Sequence, residues 1–152
     1  MNAIAISGVR QLTDTERERV LWEMALLVDN NELWLVGDAE GVDKLARQTA
    51  IANELKWLVF EKDARLPHRA QGAERSTRMV KALAQLNGTL HAWVNKPAPP
   101  ELKPTKTWKN AAGSGTWGTV ALAAGHGLRV KLHLLEGGET PDWLKTEQLT
   151  LL

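Results

Sequence analysis

The chain predicts an α/β domain in which helices cover both faces of a mainly parallel sheet of about five strands, giving three layers. Two observations carry this. Short apolar runs of strand length alternate with longer segments of helical periodicity, and the strand–helix–strand unit recurs four times. The length, 152 residues at 16.8 kDa, suits one ordinary domain built around one core, spanning 1–152.

Each element has its own signal. "AIAIS", Ala3 to Ser7, is a continuous apolar run closed by Gly8, the pattern of a strand buried on both faces. Thr13 to Val28 reads as a helix: Thr13 and Glu16 have capping-box spacing, and Val20, Leu21, Met24, Leu27 and Val28 recur at helical intervals. "ELWLVG" is the second strand. After Gly41, the residues Val42, Leu45, Ala46, Ala50 and Leu55 recur at three and four, giving a second helix before the strand "WLVF", Trp57 to Phe60. A polar loop follows. Glu74 to Leu86 carries Met79, Val80, Leu83 and Leu86 on one helical face and ends at Asn87 and Gly88, which suit a helix terminus. "TLHAWV", Thr89 to Val94, is the fourth strand. The Gly-rich stretch "NAAGSGTWGT" leads into an Ala-rich helix to about Gly125, and "LRVKLHLL" is the fifth strand. The tail "EGGETPDWLKTEQLTLL" reads equally as a short helix or an added strand.

Composition narrows the function classes. With no cysteine, neither a disulfide framework nor a thiolate metal site is available, and a cytoplasmic address is the simplest expectation. The amino terminus lacks an export-signal pattern, and no stretch approaches the roughly 20 apolar residues of a membrane span. Nineteen basic against 18 acidic residues leave a formal charge of +1, too little for wholesale electrostatic binding to nucleic acid. The four histidines lie apart without metal-ligand spacing, so no metal site is expected. The segment "NKPAPPELKPTKTWKN", about 95–110, holds four prolines and four lysines and is far longer than a usual βα loop of about 2–6 residues. It is a solvated insertion or a lid.

In an open parallel sheet, ligands bind beyond the carboxyl ends of the strands, where helix amino termini also point. Four loops fall there: "SGVR", "VGDAEGVD", "HRAQGAERSTR" and "AAGSGTWGT". Each brings backbone N–H groups near a helix start, and glycine lets the chain approach a phosphate closely.

With these four motifs in this order, "SGVR" from Ser7, "VGDAEGVDKLA" from Val36, "RSTRM" from Arg75 and "AGSGT" from Ala112, the chain resembles the SLOG superfamily. This is the Rossmann-like domain shared by the Lonely Guy phosphoribohydrolases and DNA processing protein A. The resemblance covers about Ile4 to Leu134 and is closest to the small stand-alone members. It implies that Gly113, Ser114, Gly115 and Thr116 present N–H groups and hydroxyls to a phosphate at a helix amino terminus. Arg75 would chelate the same phosphate, Arg10 would reach it from the opposite loop beside Ser7 and Gly8, and Arg78 would share the face of Arg75. Gly37, Gly41 and Asp43 would shape the second loop. Asp43 would accept a hydrogen bond from a ribose hydroxyl, or serve only as a first-turn carboxylate complementing the helix dipole.

The departures are Val9 for a small residue, Ser76 for asparagine, Ala112 for the first glycine of the last motif, and Thr119 where the phosphoribohydrolases carry a glutamate. A threonine cannot act as the carboxylate of N-glycosidic cleavage. The expected function is therefore binding of a nucleotide or nucleotide derivative, as a sensor or carrier rather than a hydrolase, with no cofactor beyond that ligand. The alternatives are a nucleotide-processing enzyme using Asp43 or another carboxylate, and single-stranded DNA binding through Lys96, Lys103, Lys106, Lys109 and Trp108. Trp34, Trp57 and Trp93 belong to strands and to the core. Trp108 and Trp117 flank the Gly-rich loop and either stack on a base or pack the long loop or a dimer interface. A homodimer or higher homo-oligomer is expected, with no membrane partner.

Overall fold

A computed structural model of the chain describes residues 2–29 and 31–144. The elements run β1 (Asn2–Gly8), α1 (Asp14–Leu27), β2 (Glu32–Gly37), α2 (Val42–Ala52), β3 (Lys56–Phe60), α3 (His68–Gln85), β4 (Thr89–Val94), α4 (Gly115–Gly125) and β5 (Arg129–Leu134). The five strands form one sheet in the order β3-β2-β1-β4-β5. Every neighbouring pair is parallel. The chain therefore moves outward from β1 to one edge, then returns to the other side of β1 and moves outward again.

Side chains alternate across the sheet, and this sorts them into two cores. Ile4, Ile6, Trp34, Val36 and Trp93 pack with Val20 and Met24 of α1 and Val42, Leu45 and Ala46 of α2. On the opposite face Ala3, Ala5, Leu35, Leu90 and Ala92 pack with Met79, Val80 and Leu83 of α3 and Val120 to Ala123 of α4. Alanines on that face of β1 and β4 let α3 and α4 come close to the sheet. Each fully buried Val, Leu or Ile contributes about 1.5–3 kcal/mol, so each face supplies several such terms. Trp34 and Trp93 are completely buried, and Trp57 on the edge strand is partly so. The Thr13–Glu16 capping box forms reciprocally, Glu16 N–H donating to Thr13 Oγ1 at 3.1 Å and Thr13 N–H to Glu16 Oε1 at 2.9 Å.

Three expectations change. The segment "HRAQGAERSTR" is not a loop: α3 starts at His68, six residues before Glu74, and these residues form its first turns. Alanine, glutamine and arginine have good helix propensity, and Gln71 Nε2 secures the start by donating to Leu66 O at 3.0 Å. The turns were invisible to apolar periodicity because they face a cavity rather than the core. The Pro/Lys-rich segment, neither a free insertion nor a detached lid, is fastened along α4. Leu102 is buried, Thr105 N–H donates to Ala121 O at 3.1 Å, and His126 Nε2 lies 3.1 Å from Lys106 O. Finally, Asp142–Leu144 of the tail are helical, and the rest of the tail lies outside the described residues.

Candidate functional site

The direction of the chain crossovers reverses between β1 and β4, and a cavity of about 750 Å³ opens at the carboxyl ends of those two strands. This is the switch point at which open α/β sheets bind ligands, and the volume lies within the roughly 300–1,000 Å³ of small-molecule sites. Ser7, Gly8 and Arg10 line it from the first loop, and Val94 and Lys96 from beyond β4.

The start of α4 forms another wall. Ser114 is the N-cap, its Oγ accepting from Trp117 N–H at 3.2 Å, while Gly113 N–H donates to Asn110 Oδ1 at 3.2 Å. Ala112 and Gly113 both take positive φ, 52° and 82°, which turns the chain sharply into the helix. The N–H groups of Gly115 and Thr116 have no acceptor among the described residues, as expected of the first turn of a helix. The Thr116 side chain lines the cavity and also has no hydrogen-bond partner there, although the residue is only 7% exposed. Space is open over Gly113 and Gly115, so neither glycine is needed for packing within the chain.

The second loop is moulded around Asp43. The residue is 5% exposed and reaches the cavity, with Oδ2 accepting from Ala39 N–H at 3.3 Å. A Cβ on Gly37 would run into this carboxylate. Burial pushes the Asp43 carboxyl up, partly offset by Arg75, the Ala39 N–H and Arg47. Arg47 Nη1 fastens the loop by donating to Gly37 O at 2.7 Å and Ala39 O at 3.0 Å. Gly37 and Gly41 thus shape the loop without lining the cavity, and Gly8 makes room for Val42, whose Cβ would lie 2.5 Å from an added Cβ.

The arginines divide by role. Arg75 lines the cavity, but its Nη1 is held by Asp38 Oδ1 at 2.6 Å, and the side chain is 11% exposed. Burial would raise the Asp38 carboxyl, yet Lys62 N–H and Arg75 together hold it below its ordinary value. Arg78 does not share the site. Its guanidinium is drawn to Glu74 and to the Glu61 carbonyl, outside the cavity. Arg69, which the sequence reading missed, lines the cavity with Gly72, Ala73 and Ser76, positions spaced 3, 4 and 7 along one face of α3. That stripe was legible only to a reader who began the helix at His68. Arg10, Arg69 and Lys96 are exposed at the cavity and have no ion pair among the described residues. The cavity is therefore lined by cations, helix N–H groups and one largely buried carboxylate.

The two tryptophans near the loop are structural. Trp117 is buried, and its indole N–H donates to Lys96 O at 3.1 Å, so it is not free to stack on a base. Trp108 lines the cavity while its ring lies against Gly118. Thr119, at the position of the family's glutamate, also lines the cavity but turns its hydroxyl back onto Gly115 O at 2.8 Å. Away from the site, two of the histidines meet after all: His91 Nδ1 lies 3.1 Å from His133 Nε2, and His133 stacks on Trp93 and approaches Glu23.

These features define a Rossmann-like α/β domain with a cleft at its switch point that is lined by cationic side chains and the start of α4. No family model matches the chain, and no curated protein matches it significantly. Solved structures do. DNA processing protein A from Streptococcus pneumoniae aligns with a TM-score of 0.57 at 16% identity, over 99% of this chain and 56% of that one. DNA processing protein A from Helicobacter pylori, studied for its single-stranded DNA binding mode, aligns with a TM-score of 0.58 at 14% identity, over 99% of this chain and 80% of that one. The chain has the fold of DNA processing protein A, as its four motifs implied, and spans little more than half the length of the pneumococcal protein.

Proposed function

We propose that the cleft binds a nucleotide or a nucleotide-derived phosphate ligand, the protein acting as a sensor or carrier. The observation that carries this is the start of α4: two first-turn N–H groups without acceptors and a nine-tenths-buried Thr116 side chain without a partner face the cavity that Arg10, Arg69 and Lys96 also line. A phosphate oxygen would satisfy the N–H groups, sit at the positive end of the helix dipole, and be neutralised by the three cations. Arg75, already paired with Asp38, would hold the second loop in place more than it would bind the anion. Thr119 offers no carboxylate, which supports binding over N-glycosidic hydrolysis.

The test is thermal unfolding with nucleoside mono- and diphosphates, cyclic dinucleotides and ADP-ribose. A ligand at a hundredfold excess over its Kd should stabilise by about 2.7 kcal/mol. The absence of any shift across the panel would refute the reading.

A second reading has its own support. The Helicobacter pylori protein of the same fold binds single-stranded DNA, and Lys103, Lys106 and Lys109 are exposed on the segment that crosses α4. Binding of an oligonucleotide through these lysines would weaken with salt by roughly 0.7 log units per phosphate per decade. Alanine at all three should then flatten that slope. Weak, lysine-independent oligonucleotide binding beside a clear mononucleotide shift would favour the first reading.

A further inference from the structure

We propose that the outer edge of β3 is a self-association surface: the β3 of a second copy pairs with it antiparallel, across a two-fold axis at Leu58, and joins the two sheets into one. The inference does not depend on what the cleft binds. On one side β3 pairs with β2, and no backbone group of Lys56–Phe60 has a hydrogen-bond partner outside that ladder among the described residues. Such an edge is a template for another strand, and a sheet that stays single blunts it with charges, proline or a bulge. The two edges of this sheet differ in that respect. Along β5, Arg129 and Lys131 are exposed on one face. By contrast β3 reads "KWLVF", with a single charge at its first residue, no proline, and an unbroken register against β2. None of its five residues is buried. Leu58, at the centre, is 53% exposed although its register partner Leu35 is fully buried.

The residues flanking the strand fit a second copy of the same edge, in one register. Residues directly opposite each other in an antiparallel pair lie on the same face of the sheet, and across a two-fold axis every such pair occurs twice. An axis at Leu58 sets that leucine against its own counterpart, Trp57 against Val59 and Lys56 against Phe60. Just beyond the strands it sets Glu54 against Lys62. Neither Glu54 nor Lys62 has an ion pair within the chain among the described residues. Moving the axis to Val59 sets Lys56 against Lys62, and like charges directly opposite are destabilising. Moving it to Trp57 sets Glu54 against Phe60 and Lys62 against Ala52. Of the three, the Leu58 register covers the exposed leucine at the axis and places opposite charges at both ends.

The experiment is sedimentation velocity of the full chain over a range of concentrations. The wild-type protein should reach the mass of two chains, and Leu58→Lys should remain a monomer with an unchanged melting temperature, since the side chain it replaces is exposed. Glu54→Lys and Lys62→Glu should each weaken the dimer at least about threefold, because each change acts at two symmetric contacts. The double variant, with the charges exchanged, should regain wild-type association. A purely structural effect of either substitution would not be restored by the other. A wild-type chain that is monomeric throughout overturns the proposal and leaves the edge to a strand of another protein. A dimer that survives Leu58→Lys, or a double variant as weak as the single ones, overturns it as well.

Discussion

Gly41 and Gly115 show how one residue type does opposite work in this protein. Gly41 has a φ of 72°, and a Cβ there would collide with the carbonyl oxygens of Val9 and Arg10, because Val42 N–H draws the first loop in by donating to Val9 O at 3.1 Å. Gly41→Ala should therefore destabilise the protein by more than about 1 kcal/mol in urea unfolding, through both strain and clash. Gly115 is the first residue of α4 and has open space around it. Gly115→Ala should leave stability unchanged or raise it by up to about 1 kcal/mol, while weakening phosphate binding because the new methyl group stands over the N–H groups. Equal losses of stability in the two variants would show that Gly115 is a structural glycine as well. Both positions lie in motifs visible in the sequence. Which of them needs glycine for packing, and which for open space, is decided by the first loop, about 30 residues before Gly41.

Among the elements, α4 and the segment that crosses it behave as one unit. Trp108 covers Gly118, Thr105 lies against Gly125, and Trp117 reaches back to Lys96, so a stretch rich in proline and lysine is held by contacts spread along the helix. Small residues at 118 and 125 permit the close approach. The native chain should accordingly resist trypsin at Lys106 and Lys109 although both side chains are exposed. Trp108→Ala should speed cleavage there without much change elsewhere. Rapid cleavage of the native chain at these two sites would show that the segment is not held. The sequence marked this segment as unusual, but its composition is the same for a mobile lid and for a pinned strap. The start of α3 was hidden for a related reason: a helix face that lines a cleft rather than the core carries Arg69, Gly72, Ala73 and Ser76 instead of an apolar stripe.

At the scale of the whole molecule, the pairing of β4 with β5 makes stability depend on pH. His91 is buried beside His133, with Lys131 on the same strand as His133, and Glu23 and Arg19 approaching from α1. Burial, then the neighbouring charges of His133 and Lys131, push the His91 imidazole down to about 3, and burial also lowers His133 against the pull of Glu23. A histidine whose pKa is lower in the folded state binds fewer protons there than in the unfolded chain. Its stabilisation is complete above about pH 6.5 and is lost progressively as the pH falls from there toward 3. Urea unfolding should thus show a decline between pH 6.5 and 5 of up to about 1.4 kcal/mol per pH unit from His91. Asp38 and Glu16, whose carboxyls are held low, add losses only at more acid pH. His91→Gln should flatten the decline in that window. An unaltered pH profile would locate the acid sensitivity elsewhere.

The sequence alone determined the elements up to β5, their order and most of their ends, the start of α3 excepted, because helix periodicity, capping boxes and strand runs depend on residues within a few positions of one another. Thr13 with Glu16 and the strand Glu32–Gly37 are of this kind. The four motifs also located the rim of the cleft, since the carboxyl ends of parallel strands share one edge of the sheet. Only the tertiary structure decided what the rim residues do. Arg75 meets Asp38 from 37 positions away, and His91 meets His133 from 42. Arg78, three residues from Arg75, is drawn out of the site by Glu74 and the Glu61 carbonyl. These partnerships follow from strand order and register, which the packing of both cores sets collectively, and no local spacing encodes them.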